Sequence, residues 1–181
     1  MKKTTSKFNE DGYCIFKSLI SNEKIDKLLF ELSELKKINL LYYSQSEHNW
    51  RRIKSDLDKF NLINCSFQNF TDILWANSLG VAGRKILQSK EINCALEEIS
   101  GIKEFIMWQN MLFDKSTGTI DHIDSWYLDT NPMGNLLAVW IALEDIDGEG
   151  GSFHIYPKSH LDCDKSWINK NHNSFMEWSK K

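Results

Sequence analysis

Charge of one sign, paired cysteines, long apolar runs and internal repetition are all scarce in this 181-residue chain, and each absence removes a class of function. Its 22 basic and 25 acidic residues leave a net charge of −3 and a pI near 6.0, with no basic stripe and no acidic tail. Neither nucleic acid nor an anionic membrane surface is therefore favoured as a partner. The four cysteines, Cys14, Cys65, Cys94 and Cys163, never form CxxC. That spacing speaks against a zinc ribbon and offers no disulfide framework, so free thiols in a reducing cytosol are expected. The opening MKKTTSKFNEDGY is charged but leads into no apolar segment of a secretion signal, and no run of about 18 apolar residues occurs. A soluble cytoplasmic protein is expected. No GxSxG motif and no Cys–His arrangement supports a hydrolase. With no repeat, no low-complexity segment and no convincing linker, a single domain over residues 1–181 is expected. What the chain does have is an apolar fraction of 41%, with seven Trp and ten Phe, enough for a core.

Ile25, Leu28, Leu29, Leu32 and Leu35 recur at helical spacing behind Ser21, a good N-cap, with Glu23 in the first turn and Lys36 and Lys37 in the last; this predicts a helix. Residues 40–69 are mixed and read as irregular, with a short helix near SDLDKF. From residue 71 to 100 the helical pattern returns in DILWAN, SLGVAGRKILQ and SKEINCALEEI, where Ile92, Ala95, Leu96 and Ile99 share one apolar face. Two or three short helices are predicted. The period then changes. Segments 104–113, 136–144 and 152–156 are rich in aromatic and β-branched residues, are bounded by STG, NPMG and DGEGG, and read as strands. The glycines of EDIDGEGGS suit a tight hairpin. A helical part over about 1–100, a β-rich part over about 101–160 and a short tail together predict an α+β fold whose helices brace a sheet or open barrel.

His122-Ile123-Asp124 is the first candidate for chemistry. On a strand His122 and Asp124 would share a face while Ile123 points to the other. The spacing suits two of the three ligands of the two-histidine, one-carboxylate set that binds iron(II) in oxygenases. It equally suits an ordinary alternating strand.

The run HIDSWYLDTNPMGNLLAVWIALEDIDGEGGSFHIYPKSHL, residues 122–161, resembles the phytanoyl-CoA dioxygenase family of iron(II)- and 2-oxoglutarate-dependent oxygenases. The matching residues are His122 and Asp124, the aromatic pair Trp126 and Tyr127, the strand Trp140 to Leu143, Gly150 and Gly151 of an acidic hairpin, and Pro157, Ser159 and His160 of a P-G-S-H box. Lys158 stands where that box has Gly. FNEDGYCIFKSLISNEKIDKL is similar to the family's opening phrase of an aromatic, a D-G, a short strand and a helix, while residues 40–100 match only in general character.

The resemblance implies a double-stranded β-helix, a jelly-roll of the cupin kind, braced by the N-terminal helices. It implies Fe(II) and 2-oxoglutarate as cofactors and hydroxylation of an unactivated carbon of a small molecule. His122 and Asp124 take the role of metal ligands and catalytic centre; Gln109, Lys115 and Trp140 that of cosubstrate contacts; Trp126 and Tyr127 that of cavity lining. Trp140 and Tyr127 read equally as core, and Lys115 as part of a solvated face. His154 reads as a structural or cavity residue, His160 as part of a turn and His48 as surface. The family's third ligand is a late histidine followed by an arginine for the far carboxylate of 2-oxoglutarate. All three arginines, Arg51, Arg52 and Arg84, precede the HxD, and His172, in polar NKNHNSF, is the remaining candidate ligand. A barrel completed by a further C-terminal segment or by dimerisation is therefore expected, as is less turnover by the 181-residue chain alone than is typical of the family. The rival readings are a catalytically incomplete fragment, a non-catalytic relative and a cupin-like metal- or ligand-binding module.

Overall fold

A computed structural model describes residues 2–44, 47–73, 77–116, 118–119, 121–132, 134–147 and 151–162. The chain forms two compact units, Met1–Thr117 and Gly118–Lys181.

The first unit opens with α1 (Lys2–Asp11) and α2 (Asn22–Leu35). The second of these is the helix predicted behind Ser21, whose backbone is extended and whose carbonyl accepts the amides of Lys24 and Ile25 at 3.0 and 3.2 Å. Leu28, Leu32 and Leu35 are buried, an i, i+4, i+7 face. Burial of each such leucine contributes roughly 1.5–3 kcal/mol. Lys36 lies just past the last helical residue, and its ammonium reaches Asp114 at 2.6 Å with both side chains nearly buried.

The helical pattern of residues 71–100 resolves into α4 (Phe70–Ile73), α5 (Ser78–Leu87) and α6 (Lys90–Ser100). Asn77 caps α5 by accepting the Leu79 amide at 2.9 Å, and Ser89 caps α6 by accepting the Ile92 amide at 3.3 Å. Of the face expected for α6, Ile92, Ala95 and Ile99 are buried. Helix α2 packs on α5, α5 on α4 and α1 on α6. Close approach of α5 to α4 depends on Gly83, where a Cβ would stand 2.4 Å from Cε2 of Phe70.

Three features depart from expectation. Residues 2–11 are helical, and no strand follows the Asp11-Gly12 pair. Residues 40–69, read as irregular, contain a hairpin of β1 (Leu41–Ser44) and β2 (Asn49–Arg52), then α3 (Ile53–Asp56) and β3 (Phe67–Gln68). The antiparallel sheet runs β2-β1-β3-β4, with β4 (Met111–Leu112) on its edge. The strand expected over 104–113 is thus two residues long. The cause lies in its partner: Asn69, with φ 48, turns the chain away from the ladder and α4 begins at Phe70. Residues 104–110 then have no β3 backbone beside them beyond the Asn69–Asn110 contacts, and Ile106 and Trp108 are 92% and 74% exposed. Apolar and β-branched content supplies a preference for strand but not a partner.

The hairpin is held by one buried carboxylate. Asp56, 2% exposed, accepts the Tyr42 hydroxyl, the Cys65 amide at 3.0 Å and the Arg51 guanidinium at 3.0 Å. Burial alone would raise its pKa, but the Tyr42, Cys65 and Arg51 donors together pull it below the usual carboxylate range. Burial, and then the bond to Asp56, pushes the Tyr42 phenol up. Tyr42 and Phe67 are fully buried, their ring centroids 4.2 Å apart.

The second unit contains α7 (Ser125–Leu128) and α8 (Ser159–Asp162). Among its described residues no strand forms, so those expected over 136–144 and 152–156 lack a ladder, and His154 is exposed and outside any strand. Part of the expected hairpin, residues 148–150, lies outside the described residues. The α+β class holds, and among the described residues the ladder of antiparallel strands lies in the first unit.

Candidate metal centre

His122 lies in an irregular stretch that runs into α7, and Asp124 is the residue at the N-cap of that helix. An aspartate there ordinarily accepts a backbone amide of the first turn. Asp124 makes no such bond. Its Oδ1 instead stands 3.1 Å from Nε2 of His122. The two groups therefore meet as the HxD spacing predicts, but not on the face of a strand. Asp124 has helical backbone angles, φ −58 and ψ −36, and the chain turns there; its carbonyl accepts the Leu128 amide at 3.0 Å.

The separation bears directly on metal binding. Donors about 2.1 Å from an octahedral ion, at right angles to each other, lie about 3.0 Å apart. The observed 3.1 Å is a hydrogen bond between the imidazole and the carboxylate, and it is short enough that both groups could reach one ion. The side chains are 34% and 48% exposed, open to an ion from solvent. Among the described residues no group of three His, Cys, Asp or Glu is close enough to hold a metal. His172 lies outside the described residues.

Both flanks of the segment are tied down. Upstream, the Tyr156 hydroxyl donates to Oδ2 of Asp121 at 2.7 Å, and that bond holds the phenol above its ordinary pKa. Downstream, Oδ1 of Asp129 accepts the amides of Thr130 at 2.7 Å and Gly134 at 3.0 Å, while the Thr130 hydroxyl donates to the Pro132 carbonyl at 2.6 Å. Sequence reasoning missed Asp121, Asp129 and Tyr156. Aspartate before a turn containing Asn, Pro and Gly is a readable signal for the second. The Tyr156 bond closes a separation of 35 residues and leaves no local trace.

The other candidates are distributed as follows. Trp140, half exposed, stacks on Phe153 with centroids 5.4 Å apart and planes 19° apart. Trp126 and Tyr127 lie in α7. Gln109 and Lys115 belong to the first unit. The Lys115 ammonium bonds Asp58 at 2.9 Å and Asn64 at 3.1 Å. Asp58 also accepts the amides of Leu62 and Phe60, and Lys115 with these donors holds its carboxyl down to about 2. His48 is exposed in the hairpin turn and His160 in α8.

Residues 8–178 match the family model described as Phytanoyl-CoA dioxygenase (PhyH). A phytanoyl-CoA dioxygenase domain-containing protein 1 of Danio rerio is 25% identical over 187 residues, a stretch covering 86% of this chain and 64% of that protein. A homologue of the same protein from Caenorhabditis briggsae is 41% identical over 46 residues, 25% of this chain and 16% of the relative. The chain thus spans less than two thirds of the length of these curated relatives. No solved structure matches it significantly.

Proposed function

This chain belongs to the phytanoyl-CoA dioxygenase family, and we propose that it is an iron(II)- and 2-oxoglutarate-dependent oxygenase that hydroxylates an unactivated carbon of a small molecule. The observation that carries the reading is the 3.1 Å approach of His122 Nε2 to Asp124 Oδ1, which puts an imidazole and a carboxylate where both could hold one ion. Iron(II) held there would let dioxygen, the oxidant, react with 2-oxoglutarate, which gives up two electrons in becoming succinate and carbon dioxide while the substrate carbon gives up the other two. The chain's own part is to hold the metal, orient the cosubstrate and exclude water. His122 and Asp124 would hold the metal, and His172 is the candidate third donor. Gln109, Lys115 and Trp140 are assigned to 2-oxoglutarate. For Lys115 that role requires its ammonium to exchange Asp58 for a cosubstrate carboxylate. Trp126 and Tyr127 are assigned to the substrate cavity, within the cupin-like fold that family membership implies. The site of action is the cytosol, a placement supported by the free thiols Cys14, Cys65 and Cys94.

A second reading, a metal-binding relative without turnover, is favoured by one observation: no third donor joins the pair among the described residues. Succinate formed from 2-oxoglutarate, with iron(II) and ascorbate, separates the two. Succinate production lost in His122→Ala supports the oxygenase, and loss in His172→Ala makes His172 the third ligand. Metal binding at His122 without succinate favours the second reading. Succinate production unchanged in His122→Ala contradicts the first.

A further inference from the structure

We propose that Tyr156 is a positioning residue for the His122–Asp124 pair, acting through the carboxylate of Asp121; this rests on reading that pair as a metal centre. Asp121 is the covalent neighbour of His122, so whatever fixes its side chain restrains the backbone from which the imidazole projects. Its Oδ2 accepts the Tyr156 hydroxyl at 2.7 Å. A carboxylate next to a metal-binding histidine is itself a plausible ligand by chemistry, yet Asp121 does not join His122 and Asp124 as a third donor. Its carboxylate is bound to a phenol that brings no charge and cannot replace a metal.

Tyr156 is itself held in place. Its carbonyl accepts the Ser159 amide at 3.2 Å, closing a turn through Pro157 and Lys158 that leads into α8. Pro157 fixes φ at the second position of that turn, and Lys158 takes φ +67 at the third, the pattern of a type II turn. The box read in the sequence as P-K-S-H is thus the mount of the tether, and the tether ends one residue from the proposed ligand. The Asp129–Thr130 contacts secure the segment beyond Asp124. The pair sits between two anchors.

Tyr156 is 63% exposed, so its bond contributes little to global stability. Its effect falls on the cost of ordering His122 when an ion binds. Partners that orient a ligand without touching the metal typically change metal affinity by about 10–100-fold.

The test is anaerobic titration of the 181-residue chain with cobalt(II), following both affinity and the visible spectrum of bound cobalt. Tyr156→Phe is expected to weaken binding by about tenfold and to alter the spectrum. Asp121→Asn should do the same, and the double variant should be no weaker than either single one. Circular dichroism and the melting temperature should stay at the wild-type values. If His122→Ala abolishes binding while Tyr156→Phe stays within about twofold of wild type, the pair stands and the tether is overturned. If Asp121→Asn abolishes binding but Tyr156→Phe does not weaken it, Asp121 is a ligand and the tether is likewise overturned. If His122→Ala binds cobalt as well as wild type, the metal centre falls and the tether falls with it.

Discussion

Asp56 in the first unit and Asp124 in the second each meet a nitrogen partner at nearly the same distance, 3.0 Å to Arg51 and 3.1 Å to His122. Their surroundings differ. Asp56 is buried and accepts a phenol and an amide besides the guanidinium, whereas Asp124 is 48% exposed at the start of a short helix whose amides it does not cap. The same contact therefore has two meanings. Enclosed and fully satisfied, a carboxylate organises a fold, because removing it strands every donor around it. Exposed and held beside an imidazole, it contributes little stability and stays available to an incoming ion.

The comparison breaks most visibly on substitution of the two aspartates. Asp56→Ala should destabilise the first unit by about 3 kcal/mol, since Tyr42 and the Cys65 amide lose their acceptor in the interior. Asp124→Ala should change stability by under about 0.5 kcal/mol in the same urea titration. Similar losses from both would erase the distinction.

Gly83→Ala sharpens the packing side of the contrast. Alanine is the better helix former by about 1 kcal/mol, but its methyl would meet the buried Phe70 ring, 2.4 Å from Cε2 and 2.6 Å from Cζ. Overpacking should win, with a net loss of about 1–2 kcal/mol, read as a lower urea midpoint with an unchanged slope.

Acid should weaken the first unit through two of its carboxylates. Asp56 and Asp58 both have folded-state pKa values below their unfolded ones, Asp58 at about 2. Each contributes stability that is present above about pH 4 and is lost as pH falls through the folded value. The urea midpoint should drop steadily from about pH 4 towards 2. Lys115→Ala should shrink the part of that drop due to Asp58, because its ammonium is the leading cause of the low value.

One substitution is expected to give a gain. Lys158 takes φ +67 in the turn after Tyr156, a conformation that disfavours a side chain and suits glycine. Lys158→Gly should relieve roughly 1 kcal/mol of local strain. If the turn matters to the metal, cobalt affinity should hold or rise. A fall in affinity would show that Lys158 contributes more than its backbone.

What could be read in the sequence follows from how local each signal is. Helix α2, with Ser21 before it and leucines at positions 28, 32 and 35, was legible because cap and apolar period lie within one element. Helices α5 and α6 were legible for the same reason, with Asn77 and Ser89 as caps. The β1–β2 hairpin was not. Its strands LYYS and NWRR carry mixed polarity, and what holds them, Asp56 and Phe67, lies outside both. Strand segment 104–113 had the right composition, but its length was set by Asn69, more than thirty residues away, where the partner turns aside. At the site, the approach of His122 to Asp124 was legible from spacing, although a helix start rather than a strand creates it. The Tyr156 tether depends on a long-range bond and was invisible.

The most direct test of the metal centre is iron(II) stoichiometry, measured anaerobically on the purified 181-residue chain and on His122→Ala and Asp124→Ala. The arrangement of donors predicts one iron per chain in the wild type, with binding lost in both variants while circular dichroism is preserved. Iron bound equally by wild type and both variants would contradict it.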